Sequence, residues 1–314
     1  MLLRSLRRPE RALPSLDSPA KGLRPLETHI GYAGVAGDAR EAIAGCALWN
    51  PILASRKRTL RVVLACLATV LLSCPAWADK TADLELLRRC YPEAVKSVDP
   101  DGLTLTDGVK LAYHDNGPPK TPEEALDHPS LEDMLAQPYP PGPVTREPAA
   151  EFDPGRRRVA AFFKAVYGHD AKEVRANLIP VPFLSTIVLF NAKNGAAKAL
   201  QAVGADLEEL LRAHPEYRTR LLPISGTFAW RKVAGTERLS MHSFGAAIDL
   251  NAKTNTYWRW YKGSDPLGLR TAFPAEVVEI FERHGFIWGG KWAEFDIMHF
   301  EYRPELIAKA PKAS

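Results

Sequence analysis

Two histidines and two aspartates, side chains able to bind metal or move protons, stand in two short, mostly apolar stretches of this 314-residue chain. Leu239–Leu250, LSMHSFGAAIDL, carries His242 and Asp249; Lys291–Tyr302, KWAEFDIMHFEY, carries Asp296 and His299. Two imidazoles and a carboxylate (His242, Asp249 and His299) are a sufficient set for a catalytic zinc, which takes three protein ligands and keeps one position open. A further carboxylate, Asp296, can then serve as general base. Spacing alone equally admits an ordinary buried His–Asp pair, since neither H-E-x-x-H nor C-x-x-C is present. A Ser240/His242/Asp249 hydrolase triad has no G-x-S-x-G elbow to support it.

The elements around these residues must aim them. Read as a strand, GAAIDLN puts Ala246, Ile248 and Leu250 on one apolar face and Ala247, Asp249 and Asn251 on the other. Asp249 is thereby turned from the core face, and Gly245 permits positive φ or close backbone approach. In the second stretch an offset of three points Asp296 and His299 to opposite faces of a flat strand. For both to serve one site, Asp296 must lie beyond the strand end or on a bend.

Elsewhere, LTLTDGVKLAY alternates Leu103, Leu105, Val109, Leu111 and Tyr113 around Asp107-Gly108, the pattern of a β-hairpin. Ten prolines between Gly117 and Gly155 enclose two capped helix starts, at Thr121 and Ser130. This segment is expected to wrap along a surface and to bury Leu126, Leu131, Met134 and Leu135. Helical periodicity marks RRRVAAFFKAVYG, KALQAVGADLEELL and FPAEVVEIFERHG; STIVLF (185–190) and PISGTFAW (223–230) read as strands. Helices and strands without regular β-α alternation predict an α+β domain.

The leader reads as an export signal. Arg56, Lys57, Arg58 and Arg61 precede the apolar run VVLACLATVLL, and Ala76-Trp77-Ala78 supplies a cleavage site before Asp79. The alternative of a buried core helix does not account for that order of basic flank, apolar run and A-x-A ending. No Met lies between Met1 and Met134; a non-ATG start at the position written Leu53 gives a signal of ordinary length. LLSC, ending at Cys74, loosely resembles a lipoprotein box, so a lipid anchor is the alternative to free release outside the cytoplasm or in a periplasm. The expected organisation is a leader over 1–78 with its signal at 56–78, a hairpin and proline-rich segment over 79–156, and a domain over 157–314 that contains both chemistry-bearing stretches.

The leader holds 11 Lys+Arg against 5 Asp+Glu, leaving 30 against 32 in the remainder. A nearly neutral mature chain gives no reason to expect nucleic acid as partner. Past the leader only Cys90 remains, so no intramolecular disulfide is expected, and no stretch there reads as a transmembrane helix.

SMHSFGAAID, followed some fifty residues later by FDIMHFEY, resembles the S-x-H-x-x-G-x-A-x-D and D/E-x-x-H motifs of the zinc D-alanyl-D-alanine carboxypeptidase and L-alanyl-D-glutamate endopeptidase family. The likeness extends through SGTFAWRKVAGTERLS and GFIWGGKW, covering about Leu222 to Pro304. It implies a small central antiparallel sheet with flanking helices, the hedgehog/DD-peptidase fold. It implies one zinc ion on His242, Asp249 and His299, with Asp296 as the base that activates water. Arg231 matches an arginine that holds the polarised carbonyl oxygen or a substrate carboxylate, and Ser240 the motif serine near ligands or substrate. The implied substrates are peptidoglycan stem peptides. Many carboxypeptidase members carry Glu at the base and Trp before the second histidine; Asp296 and Met298 here are closer to the endopeptidase and phage-endolysin branch, which leaves the scissile bond open. A non-catalytic wall-binding or structural-zinc module on the same fold is the contrasting reading.

The remaining histidines have plainer explanations. His284 closes a helix before Gly285, where an imidazole meets the helix dipole. His114, His128, His169 and His214 lie in polar surroundings. Tyr257, Trp258, Trp260 and Tyr261 can wall a sugar-peptide ligand or pack as an aromatic loop, and Trp288 and Trp292 can equally be core.

Overall fold

The computed structural model describes residues 76–310; the basic flank, the apolar run and Cys74 of the expected leader lie outside the described residues. Helix α1 (Ala76–Cys90) runs through the expected Ala78-Asp79 junction. Asp83, Leu84, Leu86 and Leu87, buried along this helix, follow that junction, so a chain beginning at Asp79 keeps each of them.

Strands β1 (Val95–Asp99), β2 (Gly102–Leu105) and β3 (Lys110–Ala112) form an antiparallel sheet in that order. The expected hairpin is its β2–β3 half, with Leu103 opposite Leu111 and Gly108 at positive φ in the turn. β1 was not expected from the sequence; only Val95 of its five residues is fully buried, so it carries little alternation to read.

Both capped starts are helices, α2 (Pro122–Asp127) and α3 (Leu131–Leu135), each closed by a complete capping box. The pairing of Thr121 with Glu124 and of Ser130 with Asp133 satisfies backbone N–H groups that the first turn leaves unpaired. Leu131, Met134 and Leu135 are buried as expected, whereas Leu126 is only half-buried, and the proline-rich segment beyond them lies along the body. Lys291 donates to the Pro140 and Gly142 carbonyls, and Arg270 bonds Glu147 at 2.6 Å.

Helix α4 (Ala160–Tyr167) buries Phe162, Phe163, Val166 and Tyr167 and leads through α5 (Ala171–Asn177) into the β4 (Leu178–Phe183) and β5 (Thr186–Asn191) hairpin. Helix α6 (Ala196–Ala213) buries Leu200, Val203, Leu207 and Leu211 along one stripe, and a single turn, α7 (Arg218–Leu221), follows.

The segment 223–230 is not the strand its alternation predicts. Ser225 N–H donates to the Asp249 carbonyl and Asp249 N–H to that of Gly226, but pairing stops at this one bridge. Pro223 brings no N–H to a ladder, and beyond Gly226 the chain turns so that Thr227 O meets His242 and Ala229 N–H meets His242 O.

Strands β6 (Ala247–Asp249), β7 (Phe286–Trp288) and β8 (His299–Tyr302) form a second three-stranded antiparallel sheet, ordered β6-β8-β7. Helices α8 (Pro266–Thr271) and α9 (Ala275–Arg283) precede β7, and α10 (Pro304–Lys309) follows β8. Ile248 pairs with Phe300, and Phe300 with Trp288; Phe281 stacks on Phe300 with ring centroids 3.9 Å apart. Each such side chain contributes roughly 1.5–3 kcal/mol by its burial, so the register of this sheet is strongly held. A one-residue slip would exchange its faces. The described residues share one hydrophobic cluster running from Leu84 to Leu306, an α+β arrangement of helices around small antiparallel sheets.

Candidate metal centre

The register that buries Ile248 and Phe300 puts Asp249 directly opposite His299. Because alternate residues share a face, Asp249, His299 and Glu301 all point away from the aromatic layer. His242 approaches from a 3-10 turn, Met241–Phe244, whose N-cap Ser240 accepts a hydrogen bond from His242 N–H at 3.3 Å. Gly245 ends that turn at φ 62°, and a Cβ there would meet Leu178 at 2.4 Å. The expectation of positive φ at Gly245 holds, and the backbone lies close to the end of β5, where the Gly245 carbonyl accepts from Asn191 N–H at 2.9 Å.

Asp296 lies off the start of β8, as its offset from His299 requires, and its carbonyl accepts from His299 N–H at 3.3 Å. Its N–H donates to Gly289 O, and a Cβ on Gly289 would come within 2.8 Å of Asp296 O. Gly289, the first glycine of the pair in GFIWGGKW, thus lets the Asp296 bend sit close against the turn that follows β7.

Nitrogen and oxygen atoms of His242, Asp249 and His299 gather within 4.8 Å of one another, a group able to hold a metal ion. His242 Nε2 is 3.2 Å from His299 Nδ1 and 3.1 Å from Asp249 Oδ2; His299 Nδ1 is 2.8 Å from Asp249 Oδ1. The outward nitrogens are engaged elsewhere. His242 Nδ1 is 2.9 Å from Thr227 O and His299 Nε2 is 3.0 Å from Glu301 Oε1. A carbonyl and a carboxylate only accept, so the network assigns the proton to each outer nitrogen and leaves each inner one to face the cluster.

The charges are interdependent. Burial alone would raise the Asp249 carboxyl, yet His242 and His299 beside it hold it well below the usual carboxylate range. Burial alone would lower His299, but its bonds to Asp249 and Glu301 push it up to about 10. Asp296 moves the other way: burial, with the Asp249 charge adding to it, pushes its carboxyl up to about 7 against the opposing pull of His299. Asp296 Oδ1 is buried with no hydrogen-bond partner.

A cleft of about 240 Å³ opens over these groups. Asp296, Arg231, Ser240, Tyr257 and Trp260 all line it. Trp260 is 63 % exposed, whereas Trp258 and Tyr261 pack against the core, so the aromatic loop divides between wall and packing. Trp288 is core; Trp292 is buried yet borders the cleft, its ring 5.7 Å from that of His299. A larger hollow, about 640 Å³ between the proline-rich segment and Lys291, contains no histidine.

The plainer readings of the other histidines fit what is seen. His284 caps α9 and bonds Asp206 at 2.8 Å; His114 and His214 sit beside surface glutamates, His169 lies 3.6 Å from Asp107, and His128 is exposed. Among the described residues no helix is long and apolar enough to cross a membrane.

Sequence reasoning missed Thr227, Glu301 and Arg158, the last bonded to Glu301. Glu301 had a signal, since a residue two beyond His299 on a strand shares its face. Thr227 contributes a backbone carbonyl and Arg158 comes from a distant run of arginines, so neither had one.

The donor set fits zinc: two imidazole nitrogens and a carboxylate oxygen converge, with outer nitrogens anchored as metal-binding histidines require. Residues 234–302 match a family model described as D-alanyl-D-alanine carboxypeptidase. The match contains His242, Asp249, Asp296 and His299, and it bears out the family resemblance over that stretch. No curated protein and no solved structure matches the chain significantly.

Proposed function

We propose that this protein is a zinc-dependent peptidase that hydrolyses peptide bonds in peptidoglycan stem peptides, of the D-alanyl-D-alanine carboxypeptidase or L-alanyl-D-glutamate endopeptidase type. The observation that carries the reading is the convergence of His242, Asp249 and His299 beside a buried carboxylate, Asp296, at the floor of a cleft.

When bound, zinc supplies a Lewis acid that polarises the scissile carbonyl and makes water more acidic. Asp296, raised toward neutrality and with one oxygen unengaged, takes a proton from the attacking water and passes it to the leaving amine. Water's hydroxyl ends on the carbonyl carbon as the C–N bond breaks. Arg231 lines the same cleft with an exposed side chain and pairs with the oxygen that gains negative charge, or with a substrate carboxylate. Ser240 holds the His242 turn, and Tyr257 and Trp260 wall the substrate.

Export through the signal at 56–78 belongs to the same proposal, because stem peptides lie outside the cytoplasm; lipid attachment at Cys74 is its membrane-anchored variant. The contrasting reading, a wall-binding or structural-zinc module, leaves the unpartnered buried Asp296 Oδ1 without a use, and a structural site would close with a fourth ligand.

The test is digestion of purified muropeptides by the zinc-loaded chain, with products identified by mass. Loss of a terminal D-alanine indicates the carboxypeptidase, and a cut between L-alanine and D-glutamate the endopeptidase. A zinc-loaded chain that leaves every stem peptide intact would favour the binding module.

A further inference from the structure

The proposed peptidase uses Asp249 and His299 of this sheet face and leaves Glu301, on the same face, without a role. Glu301 is 0 % exposed. Its Oε1 accepts from His299 Nε2 at 3.0 Å and from Arg158, while Arg303 lies 3.6 Å from Oε2. As packing this cluster is a poor choice, because buried ions are costly to desolvate and apolar residues of similar volume often serve as well or better. It is also incompletely satisfied: Arg158 Nε and Glu301 Oε2 have no hydrogen-bond partner. What the cluster does hold is the outer nitrogen of a candidate ligand, and partners of that kind set the ring orientation and tautomer of metal-binding histidines.

We infer that Glu301, itself held by Arg158, is a positioning residue for His299, keeping the proton on Nε2 and the ring turned so that Nδ1 faces the metal. This rests on the zinc reading proposed above. Arg158 lies outside residues 234–302, in the stretch that joins the proline-rich segment to α4, so the family-like span does not contain the whole support of its own ligand. The chain before that span takes part in the site through this arginine.

The experiment uses the full chain, stripped of metal by a chelator, with zinc affinity measured by competition against a chromogenic chelator. Cobalt substitution reports the ligand field by absorption. Glu301→Gln keeps size and lowers zinc affinity about 10- to 100-fold, with a shifted cobalt spectrum. Arg158→Gln moves both readouts in the same direction by less, and Arg158→Lys, which restores the charge, recovers most of the loss. If Glu301→Gln does not fold, the two Arg158 variants carry the test. Folded variants that bind zinc within twofold of wild type, with an unchanged cobalt spectrum, overturn the positioning role and leave the zinc site standing. A wild-type chain that takes up no zinc overturns the site itself.

Discussion

Two polar clusters, one around Lys291 and Glu282 and one around His242, Asp249 and His299, are built to different ends. In the first, the Lys291 ammonium meets Glu282 and the carbonyls of Pro140 and Gly142; Glu282 also accepts from Tyr139 O–H and Gly142 N–H. The three ammonium protons have three acceptors and both carboxylate oxygens are engaged. In the second, His242, Asp249 and His299 face one another across a small gap, and Asp296 Oδ1 beside them has no partner. The closed cluster straps the proline-rich segment to the body. The open one lines a cleft, its three candidate ligands bonded to one another and one oxygen, Asp296 Oδ1, left without a partner. Burial and charge are common to both, so convergence on a cleft beside an unpartnered carboxylate oxygen is what distinguishes the site.

The sharpest way to break this contrast is Asp296→Asn, which removes the base and keeps its shape. Peptide cleavage is expected to fall about 10²- to 10⁴-fold, with zinc content unchanged. Equal activity in the variant would show that the unpartnered oxygen is not used. On the closed side, Lys291→Met leaves Glu282 buried without its cation and is expected to cost about 3–5 kcal/mol in denaturant unfolding, while zinc affinity stays at the wild-type value. A loss of zinc affinity there would mean that the two clusters are coupled.

A third test uses pH. His299 is held up to about 10 in the metal-free chain, above its ordinary value, so the proton stabilises the metal-free fold at low pH and that contribution is lost as pH rises through about 10. Zinc must displace this proton, so its affinity is expected to rise about tenfold per pH unit between roughly pH 7 and 9. Calorimetry in buffers of different ionisation enthalpy counts the released protons; no release would place a neutral His299 in the metal-free protein. The smallest effect is expected for Trp260→Ala, at an exposed position on the cleft wall. KM is predicted to rise a few-fold with unfolding stability within about 0.5 kcal/mol. An unchanged KM would remove Trp260 from the wall.

Local elements were legible where local physics sets them. The capping boxes at Thr121 and Ser130, the stripes of α4, α6 and α9, and the Asp107-Gly108 turn are each specified within a few residues. Segment 223–230 misled because its alternation resembles a strand while Pro223 and its partners permit only a single bridge. The offset of three between Asp296 and His299 correctly demanded a bend, because strand geometry leaves no alternative.

By itself the sequence determined the residue types of the site and the faces on which Asp249 and His299 must stand, since a period of two is a local property of the backbone. It did not determine that these faces meet. That depends on β6 pairing with β8 in the register chosen by Ile248, Phe300 and Trp288, whose burial outweighs any preference of the polar residues. Nor did it determine that Thr227 O and Glu301 would hold the two imidazoles, or that Arg158 would reach Glu301 across 143 positions. Contacts at such separations are made only when the core closes, and the tertiary structure alone decides them.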